Sequence, residues 1–107
     1  MVNFTPEDLS AWSGGEWTRN PNSSIREFCI DSRLACKDSL FVALRANRDG
    51  HDFLSKAVAK GANAGLVDHH LEILDCPQLV VEDTLVSFQQ IAKRHRQNFM
   101  GQIVGVT

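Results

Sequence analysis

Ser39-Leu-Phe-Val-Ala-Leu44 is a continuous apolar run, and this stretch decides the fold. It is too short for a helix and has no helix-capping residues, so it predicts a strand that is buried on both faces. A helical pattern follows over residues 53–58 and stops at Gly61, and Gly65-Leu-Val-Asp68 then predicts a second short strand. A strand, a helix and a strand in this order form a β-α-β unit with parallel strands. The stretch therefore predicts an α/β fold.

Shorter signals on both sides of this unit predict more strands and a first helix. Thr5 followed by Pro6 is typical of a helix start, and Gly14 is a stop signal for that helix. Residues 25–30 alternate between the two faces of a strand, and Leu79-Val-Val81 predicts another short strand. These elements complete the expected architecture, which is a small mixed sheet with a β-α-β unit and flanking helices.

Two further helix signals surround the predicted strands. Asp52 is a candidate N-cap for the helix of the β-α-β unit. Asp83-Thr84 opens the longest helix, in which an apolar stripe recurs at helical spacing. The members of that stripe are Leu85, Phe88, Ile91, Ala92 and Phe99.

Composition limits the possible functions more than it identifies one. The chain has 107 residues, 43% of them hydrophobic, which suits one domain, and a formal net charge of −2 gives no general attraction to nucleic acid or anionic membrane. Three cysteines without a Cys-x-x-Cys pair predict neither a disulfide framework nor a zinc site. The first residues do not resemble a signal peptide and no apolar stretch is long enough to span a bilayer, so we expect a cytoplasmic location.

The first candidate binding segment is Asp31-Ser-Arg33, at the end of the strand predicted over residues 25–30. A carboxylate, a hydroxyl and a guanidinium on one turn can bind a polar ring edge or an anionic oxygen. The alternative is structural, because Asp and Ser are common turn residues and an Asp–Arg pair often only pins a loop.

The second candidate segment, Arg45 to Phe53, follows the buried strand and precedes a helix. In α/β sheets this is a common ligand position, and Arg45 and Arg48 would add positive charge there. The alternative is again a turn in which Gly50 supplies backbone freedom and Phe53 is a core anchor. Because both segments follow strands of one sheet, we expect them to face one crevice.

The sequence offers no defensible catalytic motif. It contains no Ser/His/Asp arrangement, no glycine-rich phosphate loop and no carboxylate pair, so we do not expect this chain alone to be catalytic. His69-His70 near Glu72 lacks the spacing of a metal site and is interpreted as a solvated loop. The basic run Lys93-Arg-His-Arg96 is interpreted as a solvated helix face.

Taken together, these segments resemble the N-terminal domain of the Mur ligases, most closely the MurF type. The resemblance covers nearly the whole chain, in the order of the family. The matching residues are Asp31-Ser-Arg33, Leu40-Phe-Val-Ala-Leu44, Asp49-Gly-His-Asp-Phe53, Ala57, Gly61-Ala62, Leu66-Val67, Val81, Asp83-Thr84-Leu85 and Ile103-Val-Gly-Val-Thr107.

The resemblance implies a role in peptidoglycan precursor synthesis in a parent ligase that uses ATP and Mg²⁺, with no cofactor bound by this chain. It implies that residues 1–82 form a domain that binds the uridine diphosphate moiety of UDP-MurNAc-tripeptide. Residues 83–107 would be a connecting helix and the first strand of a central ATP-binding domain. Nucleic acid and membrane are not expected partners, whereas the other domains of the parent ligase are.

Under this resemblance the substrate-binding residues come from the two candidate segments. Asp31, Gly50 and Phe53 are expected to support them, with Asp31 orienting Arg33. The expected binding residues are Ser32, Arg33, Leu44, Arg45, Asn47, Asp49 and His51.

Two alternative identities and one structural expectation accompany this interpretation. The chain could be the equivalent domain of a MurE-type ligase, or a stand-alone interaction module that kept the fold without the ligand. The run Gln102-Ile-Val-Gly-Val-Thr107 resembles a strand that feeds a phosphate-binding loop. If the rest of that domain is absent, Ile103, Val104 and Val106 are expected to be disordered or packed in a non-native way.

Overall fold

A five-stranded sheet lies at the centre of the protein in a computed structural model that describes residues 4–21, 24–45 and 49–98, with side chains to residue 95. The strand order is β1-β5-β4-β3-β2, in which β1 is antiparallel to β5 and the other neighbours are parallel. The elements are α1 Pro6–Ser13, β1 Glu16–Trp17, β2 Glu27–Cys29, β3 Ser39–Val42, α2 Leu54–Ala59, β4 Ala64–Val67, β5 Gln78–Val80 and α3 Thr84–Asn98, with 3₁₀ turns at Ser32–Leu34 and Gly50–Phe53. The predicted mixed sheet with a β-α-β unit is confirmed.

Helix α1 begins and ends where the sequence predicts. The Thr5 side chain accepts a hydrogen bond from the Asp8 backbone N–H at 3.1 Å, and Pro6 occupies the first turn. Gly14 ends the helix with φ of 74°, a left-handed conformation in which glycine is favoured.

The central strand β3 is buried on both faces, as its apolar sequence predicts. Leu40 and Val42 contribute to one hydrophobic cluster, while Phe41 and Ala43 contribute to the other. The first cluster lies beneath α1 and α3, and the second includes Leu54 and Ala57 of α2. The sheet is therefore a middle layer between helices.

The connection from β3 to β4 corrects one prediction. Asp52 is not the N-cap of the helix; instead, Asp49 caps the preceding 3₁₀ turn by accepting the His51 backbone N–H at 3.0 Å. A tight turn therefore comes before α2, which begins at Leu54 without a side-chain cap. Gly65 of β4 permits close packing, since a Cβ there would lie 2.7 Å from a methyl carbon of Leu54.

Helix α3 packs on the core through a stripe that only partly matches the predicted one: Phe88 and Ile91 are confirmed, whereas Leu85 is not. Ile91 is fully buried and the Ser87 hydroxyl donates to the Ser13 carbonyl at 3.3 Å, whereas Leu85 is 50% exposed. The prediction for Leu85 is wrong because the buried face is centred on small polar Thr84 and Ser87, which allow the two helices to approach. Ala92 is also exposed.

Phe99 and the run over residues 102–107, including the expectation for Ile103, Val104 and Val106, lie outside the described residues. The division at residue 82 stays a prediction, although the first half of α3 packs on the same core as the sheet. Within the described ranges, none of the helices is both long and apolar enough to cross a membrane.

Candidate functional site

Three polar segments meet at one edge of the sheet. Residues 31–33 follow β2, the described residues Arg45 and 49–51 follow β3, and Asp68-His69 follow β4. Because β2, β3 and β4 are parallel, all three segments lie at the carboxyl ends of their strands, where ligands of α/β sheets commonly bind.

The segment after β2 is held together by contacts among its own residues. Asp31 accepts the Arg33 backbone N–H at 2.9 Å and receives two guanidinium hydrogen bonds, at 3.1 Å from Nε and 2.8 Å from Nη2. These bonds from the Arg33 side chain, followed by the backbone bond, lower the pKa of Asp31 to about 2. The Arg33 side chain is nevertheless 84% exposed, so its orientation is set while its outer face stays accessible.

The segment after β3 is instead tied to the next strand. Arg45 donates from Nε to Asp68 Oδ2 at 2.6 Å and from Nη2 to Asp68 Oδ1 at 3.1 Å, and its Nη1 donates to Asp49 at 3.0 Å. The hydrogen bonds from Arg45 are the largest cause of a strongly lowered pKa for Asp68. Arg45 therefore connects two loops with charge-assisted hydrogen bonds.

His51 lies beneath this ion-pair network, with a side chain that is 3% exposed. Its Nε2 accepts the Asp68 backbone N–H at 3.0 Å, which requires the neutral ring to carry its proton on Nδ1, and Nδ1 is 2.6 Å from Asp49 Oδ1. Both ring nitrogens are thus used inside the fold. His51 fastens the loop after β3 to the start of the loop after β4.

His51, Asp68 and His69 form a group whose donor atoms lie within 4.8 Å of one another, so they could in principle hold a metal ion. Their donor atoms already have partners, however. The His51 Nε2 lone pair accepts a backbone N–H, and the Asp68 carboxylate is shared by Arg45 and by His69, whose Nδ1 is 2.6 Å away. We therefore interpret the group as a hydrogen-bonded network and assign no metal to it.

A cleft of about 650 Å³ opens beside the first segment. Both candidate segments contribute to it, because Asp31, Ser32 and Arg33 line it together with Gly50 and Phe53. The remaining lining residues are Ile30, Phe41 and Lys56.

Gly50 brings the backbone of the second segment close to the end of β3. Its N–H donates to the Leu44 carbonyl at 2.7 Å, and an added Cβ would lie 2.7 Å from the Leu44 backbone nitrogen and oxygen. A side chain at this position would force the loop away from the strand. Glycine is therefore needed for this part of the cleft wall.

The structure separates the predicted site residues into two groups. Asp31, Ser32, Arg33, Gly50 and Phe53 line the cleft and so share one crevice as expected. The other described candidates do not belong to its lining. Leu44 packs against the cluster beneath α1 and α3, while the ion-pair network holds the other three, which are Arg45, Asp49 and His51.

Asn47 lies outside the described residues. Sequence reasoning missed Lys56, Phe41 and Ile30 as lining residues. Phe41 was predicted as part of a core strand and Lys56 lies on a helix, so neither carried a sequence signal for binding. Only the packing of β3 and α2 brings them to the cleft.

The comparisons with known proteins agree with this fold. The UDP-N-acetylmuramoyl-tripeptide--D-alanyl-D-alanine ligase of Escherichia coli is 36% identical over 108 residues, a match that covers 100% of this chain and 24% of the relative. A crystal structure of MurF from Acinetobacter baumannii superposes with a TM-score of 0.86 at 28% identity, over 92% of this chain and 22% of that one. In sequence and fold, this chain is similar to part of the MurF ligases.

The chain spans about a quarter of the length of the E. coli relative it matches. A ligase of the other type considered, the UDP-N-acetylmuramoyl-L-alanyl-D-glutamate--2,6-diaminopimelate ligase of Cytophaga hutchinsonii, is 33% identical over 89 residues, covering 78% of this chain and 18% of the relative. A scan against protein-family models gave no match.

Proposed function

We propose that this chain is the N-terminal UDP-MurNAc-peptide-recognition domain of an ATP-dependent ligase. The parent ligase would add D-Ala-D-Ala to UDP-MurNAc-tripeptide in cytoplasmic peptidoglycan precursor synthesis. One observation carries the proposal: a MurF-type chain has a cleft at the carboxyl ends of β2 and β3, lined by Ser32, Arg33 and Phe53.

The cleft has the chemistry that a uridine nucleotide requires. Phe41 and Phe53 supply apolar surface for a pyrimidine ring, and the Ser32 hydroxyl can hydrogen-bond a polar ring edge. The exposed Arg33 guanidinium is held in one orientation by Asp31 and can donate to an anionic oxygen.

Binding of the UDP end of the substrate would also contribute to the reaction at the tripeptide carboxylate. Remote binding energy can position a substrate, and good positioning lowers the barrier of the chemical step. ATP and Mg²⁺ are proposed to bind to segments of the parent ligase outside this chain. The printed sequence has no glycine-rich phosphate loop, so no step through ATP is assigned to its residues.

Titration of the ¹⁵N-labelled chain with UDP-MurNAc-tripeptide, followed by NMR, tests the proposal. We expect backbone signals of residues 31–33, 50 and 53 to shift, because those residues line the cleft. Arg33→Gln is expected to weaken binding about tenfold, as loss of a hydrogen bond to a charged group commonly does.

Arg19→Gln is the matched control. Arg19 is also an exposed arginine paired with an aspartate, Asp75, but it is not among the residues that line this cleft. Shifts that are absent at millimolar ligand, or that cluster around Arg19 instead, would contradict the proposed site.

A further inference from the structure

We propose that Lys56 is the residue that binds the diphosphate of a nucleotide in this cleft and so distinguishes nucleotide from nucleoside. This inference rests on the proposed function, since it assigns a role within the same cleft. Lys56 lies on α2 and is one of the residues that line the cleft.

The position of Lys56 is set by an aromatic neighbour. Its Nζ lies 5.4 Å from the centroid of the Phe53 ring, within the range of a cation–π interaction. Phe53 also lines the cleft and is the last residue of the turn that begins at Gly50. The ammonium group is therefore placed beside apolar surface that suits a base, which is the arrangement a nucleotide needs.

The other cations near the cleft are committed to carboxylates. Arg33 shares two hydrogen bonds with Asp31, and Arg45 is bonded to both Asp49 and Asp68. Arg45 is also not part of the lining. Among the described residues, Lys56 is the lining cation for which the structure gives no carboxylate partner within salt-bridge distance.

An unneutralised ammonium is well suited to a diphosphate. Lysine is a compact charge with three donors on a flexible stem, so it can follow phosphate oxygens without a fixed bidentate geometry. Arg33, whose charge is balanced by Asp31, would contribute orientation and hydrogen bonding more than net charge. The sequence predicted that arginines supply this charge, whereas the fold brings Lys56 to the cleft.

The test compares the affinities of uridine, UMP and UDP for the chain and for Lys56→Gln, measured by NMR titration. We expect Lys56→Gln to weaken UDP binding about tenfold and to leave uridine binding unchanged, since only UDP carries the diphosphate. Added salt should weaken UDP binding to the unsubstituted chain more than to Lys56→Gln.

Lys60→Gln is the matched control. It removes the same charge one turn further along, at an exposed residue that caps the C-terminal end of α2 and is not part of the cleft lining. We expect its UDP affinity to equal that of the unsubstituted chain. Thermal unfolding of all variants checks that each is folded.

Each other outcome overturns the inference in a recognisable way. If Lys56→Gln still prefers UDP over uridine as strongly as the unsubstituted chain, Lys56 does not bind the diphosphate, while the proposed function stands. If Lys60→Gln weakens UDP binding equally, the effect is general electrostatics. If the unsubstituted chain binds neither uridine nor UDP, the proposed function itself fails and the role of Lys56 fails with it.

Discussion

The two polar segments at the carboxyl edge of the sheet use the same residue types in opposite ways. After β2, Asp31 pairs with Arg33 two residues away, and the arginine is 84% exposed beside the cleft. After β3, Arg45 pairs with Asp68, which is 23 positions away in sequence, above a buried histidine, His51. One pair is local and lies beside the cleft, while the other joins the loops that follow β3 and β4.

This difference indicates how to separate binding residues from structural ones at such an edge. A pair made within one turn needs little tertiary structure, so its outer face can be used for recognition. A pair made between loops orders both loops, and its donors and acceptors are already used in hydrogen bonds within the protein. The segment after β3 therefore shapes the cleft through Gly50 while its charged side chains hold the loop in place.

The largest expected effect is that of His51→Ala on stability. Removing the ring leaves the Asp68 backbone N–H without its acceptor, takes one of two His51 contacts from Asp49 Oδ1, and opens a cavity at a side chain that is 3% exposed. We expect a loss of about 3 kcal/mol in the free energy of unfolding, measured by urea denaturation. His69→Ala, at an exposed ring stacked on His51, is the control and should cost much less. Equal losses would contradict a central role for His51.

Gly50→Ala should have the next largest effect, because Gly50 lies in the cleft wall and packs closely against the backbone at the end of β3. The new Cβ would lie 2.7 Å from backbone atoms of Leu44, so the loop must shift. We expect about 2 kcal/mol of destabilisation, in the range of overpacking substitutions, together with weaker UDP binding. A crystal structure of the variant with an unmoved loop would refute this account of the cleft wall.

The loss of stability at acidic pH should depend more on Asp68 than on Asp31. The pKa of Asp68 is lowered in the folded protein, chiefly by its hydrogen bonds from Arg45, so its stabilisation is present above the unfolded pKa of about 4. That stabilisation is lost as pH falls below about 4 towards the folded pKa. Asp68→Asn should therefore flatten the decline of stability between about pH 5 and pH 2.

Asp31→Asn is the comparison for that measurement. Its folded pKa is about 2, yet its partner is only two residues away, so the unfolded chain can retain part of the same pairing. We expect its stability curve to change less than that of Asp68→Asn. Parallel curves for the two variants would remove the distinction between a local pair and an inter-strand pair.

The smallest stability change and the clearest binding change are expected for Asp31→Asn at neutral pH. Asparagine keeps one oxygen that can accept from Arg33 Nε, but it offers Nη2 no second acceptor and carries no charge, so Arg33 is oriented less firmly. UDP affinity should fall about threefold while the unfolding midpoint changes little. Asp75→Asn, which frees the exposed Arg19 elsewhere, should change neither quantity. A shifted midpoint with unchanged affinity would make Asp31 a structural residue.

Much of the fold could be predicted because it depends on local signals. The apolar run at Ser39–Val42, the Thr5 cap and the Gly14 stop each act through neighbours within a few residues. The two-residue strand β1 was not predicted, since Glu16 and Trp17 carry no pattern and are paired only because β5 lies beside them. The stripe on α3 was misplaced at Leu85 because hydrophobicity alone does not show that α1 approaches over small residues.

The sequence by itself therefore determined the α/β class, the β-α-β unit and the local pair of Asp31 with Arg33. These features depend only on residues that are close together in the chain. The tertiary structure alone decided which charged side chains remain available. It paired Arg45 with Asp68 across two parallel strands, buried His51 beneath them, and brought Lys56 of α2 to the cleft. These are contacts between residues far apart in sequence, and they form only when the strands and helices pack.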